Sequence, residues 1–241
     1  MRCGYTADYT GTMRRVLIAL LMAGLAAMPL AAQKRKTPAK KPPTKASTKL
    51  EPLKTATPDV KCPSLIGTGV KTVRSFCDVP AGREPADGVV ITLPPHVGAG
   101  TLMFDLHARH NYSEDEMKRG RSYAHYRAGI GVLTSKGELL GRGAVDAEFR
   151  TAADLFDRIG GGAGPGGLKA VAPAGREAVF VEVPAAVDQV SLLGETLDAL
   201  TPAGHETTLM PGRPVAIVSN VLFEYHPAPQ NSTKNTKTPK E

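Results

Sequence analysis

The chain has 241 residues, with 30 Lys/Arg against 23 Asp/Glu and a formal net charge of +7. The charge is unevenly spread: residues 62–226 hold 15 basic and 19 acidic residues, so the cationic excess lies in the segments on either side. A mildly acidic central region argues against a nucleic-acid-binding domain, which needs a basic face to neutralise phosphates.

At the N-terminal side, Met13-Arg14-Arg15 precedes an uncharged run from Val16 to Ala32, VLIALLMAGLAAMPLAA. A positive start, an apolar stretch and a small-residue end are the layout of a secretory signal, so residues 1–32 read as a leader cleaved after Ala32. The alternative is an uncleaved anchor, but 17 residues containing Gly24 and Pro29 are marginal for crossing a bilayer core of ~30 Å. Residues 1–12 carry Asp8 and little positive charge, so Met13 is an alternative start. No cysteine stands directly after the run, where Gln33 follows Ala32, which argues against a lipid anchor, and two arginines alone are weak support for the twin-arginine route. The expected location is outside the cytoplasm, periplasmic or extracellular in a bacterium, with no transmembrane segment after cleavage. Export excludes most functions that need ATP, NAD or a reduced thiol.

Residues 33–61 are rich in Lys, Pro and Thr and nearly free of large apolar side chains. Such a segment cannot bury enough surface to offset its ordering entropy, and reads as a disordered linker stiffened toward polyproline II. It is either a plain solvated spacer or one that also touches anionic envelope polymers or lipid headgroups. Residues 227–241 form a similar polar tail; Asn231-Ser232-Thr233 fits a glycosylation acceptor, a three-residue pattern of little weight.

Residues 62–226 are long enough for one domain with its own core. Cys62 and Cys77 are the cysteines that follow the leader, and in an exported protein they are expected to pair. Neither a CxxC nor a Cys/His cluster supports a metal or catalytic role. The rest is a series of strand-like runs broken by Gly and Pro: 88–93, 101–110, 122–134, 139–149, 177–183, 187–195 and 215–226. Ser135-Lys136-Gly137-Glu138 reads as a hairpin turn. One short helix is expected, capped by Thr151 with Asp154 three residues on and ended by Gly160. The fold class is therefore all-β, an antiparallel β-sandwich with one short helix.

The phrases VEVPAAVDQVSLLGE and VAIVSNVLFEY resemble the late strands of jelly-roll sandwiches related to galactose-binding and carbohydrate-binding modules. The likeness spans some 50 residues and carries over no ligand residue. The whole domain also resembles secreted β-sandwich proteins of soil bacteria, which implies location and fold but no activity. The chain has no tryptophan, whereas carbohydrate modules commonly stack sugars on aromatic faces.

HExxH, GxSxG and P-loop motifs are missing from the sequence. Gly162-Ala163-Gly164-Pro165-Gly166-Gly167 formally fits GxGxxG, but it neither follows a strand nor opens a helix. It reads as a surface loop, or as a lid over a site. No cofactor, metal ligand or catalytic residue is assigned. The best candidate site is a pair of alternating strands around the charged segment 112–121, itself a loop or one helical turn. On the first, Leu102, Phe104, Leu106 and Ala108 share an apolar face while Asp105, His107 and Arg109 share the other. On the second, Ala124, Tyr126, Ala128 and Ile130 are apolar and Tyr123, His125 and Arg127 polar. Antiparallel pairing would set Asp105 against Arg127, His107 against His125 and Arg109 against Tyr123. The result would be a platform for an anion, a sugar or a metal; the alternative is a solvated face with a cross-strand ion pair worth at most ~1 kcal/mol. His107-Ala108-Arg109-His110 is an HxxH, but on a strand its two imidazoles point to opposite faces and chelate poorly. These readings make the protein a cell-envelope binding or interaction module with an envelope glycan or anionic polymer as its partner. The alternatives are an enzyme acting on such a polymer with His107 and His125 in its site, or a structural surface protein.

Overall fold

The computed structural model describes residues 50–159 and 169–229. The expected leader, the Gly-rich loop at 162–167 and the C-terminal tail beyond 229 lie outside them. The described chain forms twelve strands. β1 (Lys54–Ala56), β2 (Asp59–Lys61), β3 (Leu65–Thr68) and β4 (Ser75–Pro80) lead into β5 (Val89–Thr92) and the long β6 (His96–Ser113). After helix α1 (Glu114–Lys118) come β7 (Ala124–Thr134) and β8 (Leu139–Phe149). The last four are β9 (Lys169–Val183), β10 (Gln189–Thr201), β11 (Gly204–Glu206) and β12 (Pro214–Pro227).

Two antiparallel sheets face each other. The first runs β3-β4-β12-β6-β9, with β1 added to β12; the second runs β2-β5-β10-β7-β8, with β11 added to β10. Counting the eight principal strands from β4 in chain order, the sheets read 1-8-3-6 and 2-7-4-5. That is the jelly-roll arrangement, in which nearly every connection crosses between the sheets. Among the connections of these eight strands only the β7–β8 hairpin stays within one sheet; the added strands β3 and β11 also pair with their chain neighbours, β4 and β10. The Thr134–Glu138 turn of the β7–β8 hairpin, with Gly137 at φ 84°, occupies the expected position.

The crossing rule corrects the expected strand pairing. β6 and β7 do not pair: β6 lies between β12 and β9 in the first sheet, β7 between β10 and β8 in the second. Their apolar faces do point inward as expected, from opposite sides. Leu102, Phe104, Leu106 and Ala108 meet Ala124, Tyr126, Ala128 and Ile130 in one core between the layers. At about 25 cal/mol per Å² of apolar surface removed from water, this interlayer core is the main stabilising term.

Two further expectations are corrected. The sandwich takes in residues 54–61, ahead of the boundary at Cys62: β1 pairs Lys54–Ala56 with Tyr225–Phe223, and β2 pairs Asp59–Lys61 with Thr92–Val90. Short edge strands carry Lys and neighbour Pro because their outer edge needs no partner, so their composition resembles a linker. The helix expected from Thr151 to Gly160 is a single 3₁₀ turn, Ala152–Asp154. Its capping box forms, but Leu155 leaves the helical region at ψ 128°. Cys62 and Cys77 form a disulfide with Cα atoms 5.9 Å apart, linking the chain just after β2 in the second sheet to β4 in the first.

Candidate functional site

The six residues expected to form one platform are divided between the outer faces of the two sheets. Asp105, His107 and Arg109 stand on the outer face of the first sheet, but Asp105 and His107 are not solvated. The segment after β8 runs across them. Phe156 lies 4.6 Å from the His107 ring, Phe76 packs edge-on to both, and Ile217 and Ile159 complete a small apolar layer. Asp157 pins this segment by accepting hydrogen bonds from the Lys71 and Thr72 amides and from the Thr72 hydroxyl. Burial works to raise its carboxyl, yet these bonds outweigh burial and hold it below the usual range.

The Nδ1 of His107 is 2.7 Å from the Gly175 carbonyl oxygen, so Nδ1 carries the proton and donates; Nε2 then accepts from the Ser219 hydroxyl at 2.9 Å. Burial pushes this imidazole's pKa down. A fully buried ring with both nitrogens engaged is not open to a ligand. Asp105 is paired with Arg74 at 2.7 Å and Arg176 at 3.1 Å, and Arg109 with Asp78 at 2.9 Å. This half of the expected platform is thereby absorbed into packing.

Tyr123, His125 and Arg127 stand on the outer face of the second sheet and reach solvent. The register places Arg127 between Asp198 on β10 and Asp146 on β8, and His125 between Leu200 and Glu148. Asp146 accepts from His125 Nε2 at 2.6 Å and from Arg127 Nε at 2.9 Å, and these bonds hold its carboxyl below the usual range. On β11, His205 donates to Asp198 at 2.7 Å. A hydrogen bond to Glu148 pushes the Tyr123 phenol up. Next along the sheet the side chains become small: Gly129 lies between Thr196 and Ala144, and Gly131 opposes Arg142, which pairs with Glu195 at 2.6 Å. The face therefore has a low floor with hydrogen-bonding side chains at both ends. A Cβ at Gly129 would lie 2.5 Å from Thr196 Oγ1, and one at Gly131 would lie 2.6 Å from Glu195 Oε1. Only glycine allows both neighbours to lie flat across the floor.

At the His125 end of this face a cleft of about 340 Å³ opens between the layers, lined among others by Asn111, Ser113, Tyr123, Tyr126 and Thr201. His110 also lines it. Its ring stacks on Phe149 at 3.8 Å and meets Tyr126 edge-on at 5.9 Å. It points into the interlayer side, opposite to His107, as the strand alternation requires. The residue is 4% exposed and neither ring nitrogen has a hydrogen-bond partner. Burial lowers its pKa to about 4, so the imidazole is neutral at pH 7. A buried polar group without a partner costs about 1–3 kcal/mol. Only the HxxH spacing drew attention to His110 in the sequence, and that pattern gives no hint of a cleft.

Among the described residues no helix is long and apolar enough to cross a membrane, and no group of three or more His, Cys, Asp or Glu gathers to hold a metal ion. No protein-family model matches the chain, and no curated protein does. Among solved structures, the K1 cleaved adhesin domain of Lys-gingipain from Porphyromonas gingivalis W83 aligns over 73% of this chain and 91% of its own. The identity is 8% and the TM-score 0.30. A likeness of that degree bears on neither ligand nor partner.

Proposed function

We propose that this protein is an exported binding module of the bacterial cell envelope, and that the outer face of its second sheet contacts a neutral polysaccharide. The observation that carries the reading is the ladder Asp198–Arg127–Asp146 beside His125 and His205, exposed and continuous with the Gly129–Gly131 floor. Donors and acceptors spread over an open sheet suit an extended polymer, whereas a catalytic site draws its groups into a concave pocket. Arg127, Arg142 and Arg150 are each matched by a carboxylate from Asp146, Glu195 or Glu148. This balance favours an uncharged glycan over a polyanion. The disulfide supports export, because such bonds persist in oxidising compartments; the leader-like run from Val16 to Ala32 supports it from the sequence.

The test is retention of the protein on insoluble and gel-embedded neutral polysaccharides, with polyanionic envelope polymers alongside. Arg127→Ala, paired on the surface and expected to leave folding intact, should weaken retention by about tenfold. Equal retention of parent and variant, or preference for the polyanion, contradicts the assignment.

A further inference from the structure

The cleft beside Tyr123 and Tyr126 has a feature the open face lacks: a buried imidazole with nothing to bond to. We propose that this cleft is a separate binding site for a small, neutral, polyhydroxylated molecule of monosaccharide size, anchored by a hydrogen bond to one nitrogen of the His110 ring. The inference does not depend on the polysaccharide face, since it rests on other side chains apart from Tyr123 at the mouth.

The chemistry of the lining selects the ligand class. A neutral imidazole offers one donor and one acceptor on opposite edges of its ring, so a ligand hydroxyl, which can donate or accept, matches whichever nitrogen it meets. Asn111, Ser113 and Thr201 add further uncharged donors and acceptors around the cleft. The phenols of Tyr123 and Tyr126 supply ring faces for the C–H side of a sugar, with Tyr123 40% exposed at the mouth. An anion is disfavoured because the cleft's guanidinium, Arg121, is turned to Glu116 through two hydrogen bonds of 2.9 and 3.1 Å, and because His110 carries no charge at neutral pH. A metal is disfavoured because one imidazole without carboxylate or thiolate neighbours makes no coordination set. A hydrocarbon would leave the ring nitrogens as they are. The volume of about 340 Å³ falls at the lower end of small-molecule sites.

The experiment is NMR titration of the folded domain with a panel of neutral monosaccharides, and separately with short oligosaccharides of the sugars that bind. Inorganic sulfate and a uronic acid serve as anionic controls. The expected result is a Kd on the order of 1 mM for at least one neutral monosaccharide, with shifts at His110, Tyr123 and Tyr126. Tighter binding of the oligosaccharide than of the free sugar identifies a chain end as the source; equal binding identifies the free sugar. His110→Phe keeps the stack on Phe149 and removes both unpartnered nitrogens. It should melt no lower than the parent and lose affinity by at least about tenfold. Tyr123→Ala, at the exposed mouth, should lose affinity by a similar factor and decides the matter should His110→Phe fail to fold. The proposal is overturned if no neutral monosaccharide shifts the cleft, if sulfate or the uronic acid binds better, or if the variants bind like the parent. A lower melting temperature for a folded His110→Phe would also overturn it, because it would mean that a buried water already satisfies the ring. Loss of polysaccharide retention in an otherwise sugar-binding protein would count against the sheet face alone and leave the cleft standing.

Discussion

Arg74 and Asp105 meet at 2.7 Å on the outer face of the first sheet, with the carboxylate 4% exposed and the guanidinium 32%. The asymmetry decides what each substitution does. Asp105 is sealed beneath Arg74 and Arg176, so removing its charge strands two cations that can only partly turn to water. Asp105→Asn should destabilise by about 2 kcal/mol. Arg74→Ala leaves Asp105 its second arginine and should cost about half as much. Denaturant melts of the two variants check this, and equal losses would contradict it.

The His110 site predicts the acid side of the stability profile. Its folded pKa of about 4 lies below the unfolded value near 6.5, so above pH 6.5 both states are neutral and the group has no effect. As pH falls from 6.5 toward 4 only the unfolded chain takes up the proton, and stability falls. The full loss is about 3 kcal/mol. His107, also lowered by burial, acts in the same direction. His110→Phe should flatten the profile over this window, as followed by thermal melts from pH 7 to 4.

Asp157 acts in a lower window. Its folded pKa is depressed, so its contribution is present above the unfolded value near 3.8 and is lost as pH falls below it. Asp157→Ala should cost about 2 kcal/mol and release the 69–73 turn. Hydrogen exchange reads the release directly: the Lys71 and Thr72 amides should exchange faster, while those in the middle of β6 should not.

The N-terminal strands predict a boundary. A chain beginning at Leu50 keeps β1 and β2; one beginning at Cys62 loses both, along with the packing of Ala56 and Val60 on the core. The shorter chain should melt about 5 °C lower. Identical melting would show that these strands add nothing to the sandwich.

Much of the fold was legible because alternation reports burial locally. The inward sets on β6 and β7, the β7–β8 hairpin and the Cys62–Cys77 bond all follow from short-range pattern or compartment. What alternation does not carry is the sheet to which a strand belongs. His107 and His125 lie on matched polar faces, yet a crossover puts them on opposite sides of the molecule. Nor does it carry what covers an outward face. His107 looks solvated until Phe156, some fifty residues later, closes over it, and Asp105 until Arg74 and Arg176 do. The candidate surface that survives is the half containing Tyr123, His125 and Arg127. Its partners Asp146, Asp198 and His205 could be named only from the register of strands far apart in sequence.

The disulfide also determines how the module responds to pulling. Tension applied from the N-terminal side would load β1 and β2 first, three residues each, and could peel them one pair at a time. At Cys62 the load passes through sulfur to Cys77 in the middle of β4, bypassing residues 63–76 altogether. β3 is then shielded from the pull. The next resistance is β4 held against β12, inside the first sheet rather than at its rim. A bond that closes a short loop in the resting protein thus sets the point at which a tether stops unravelling it.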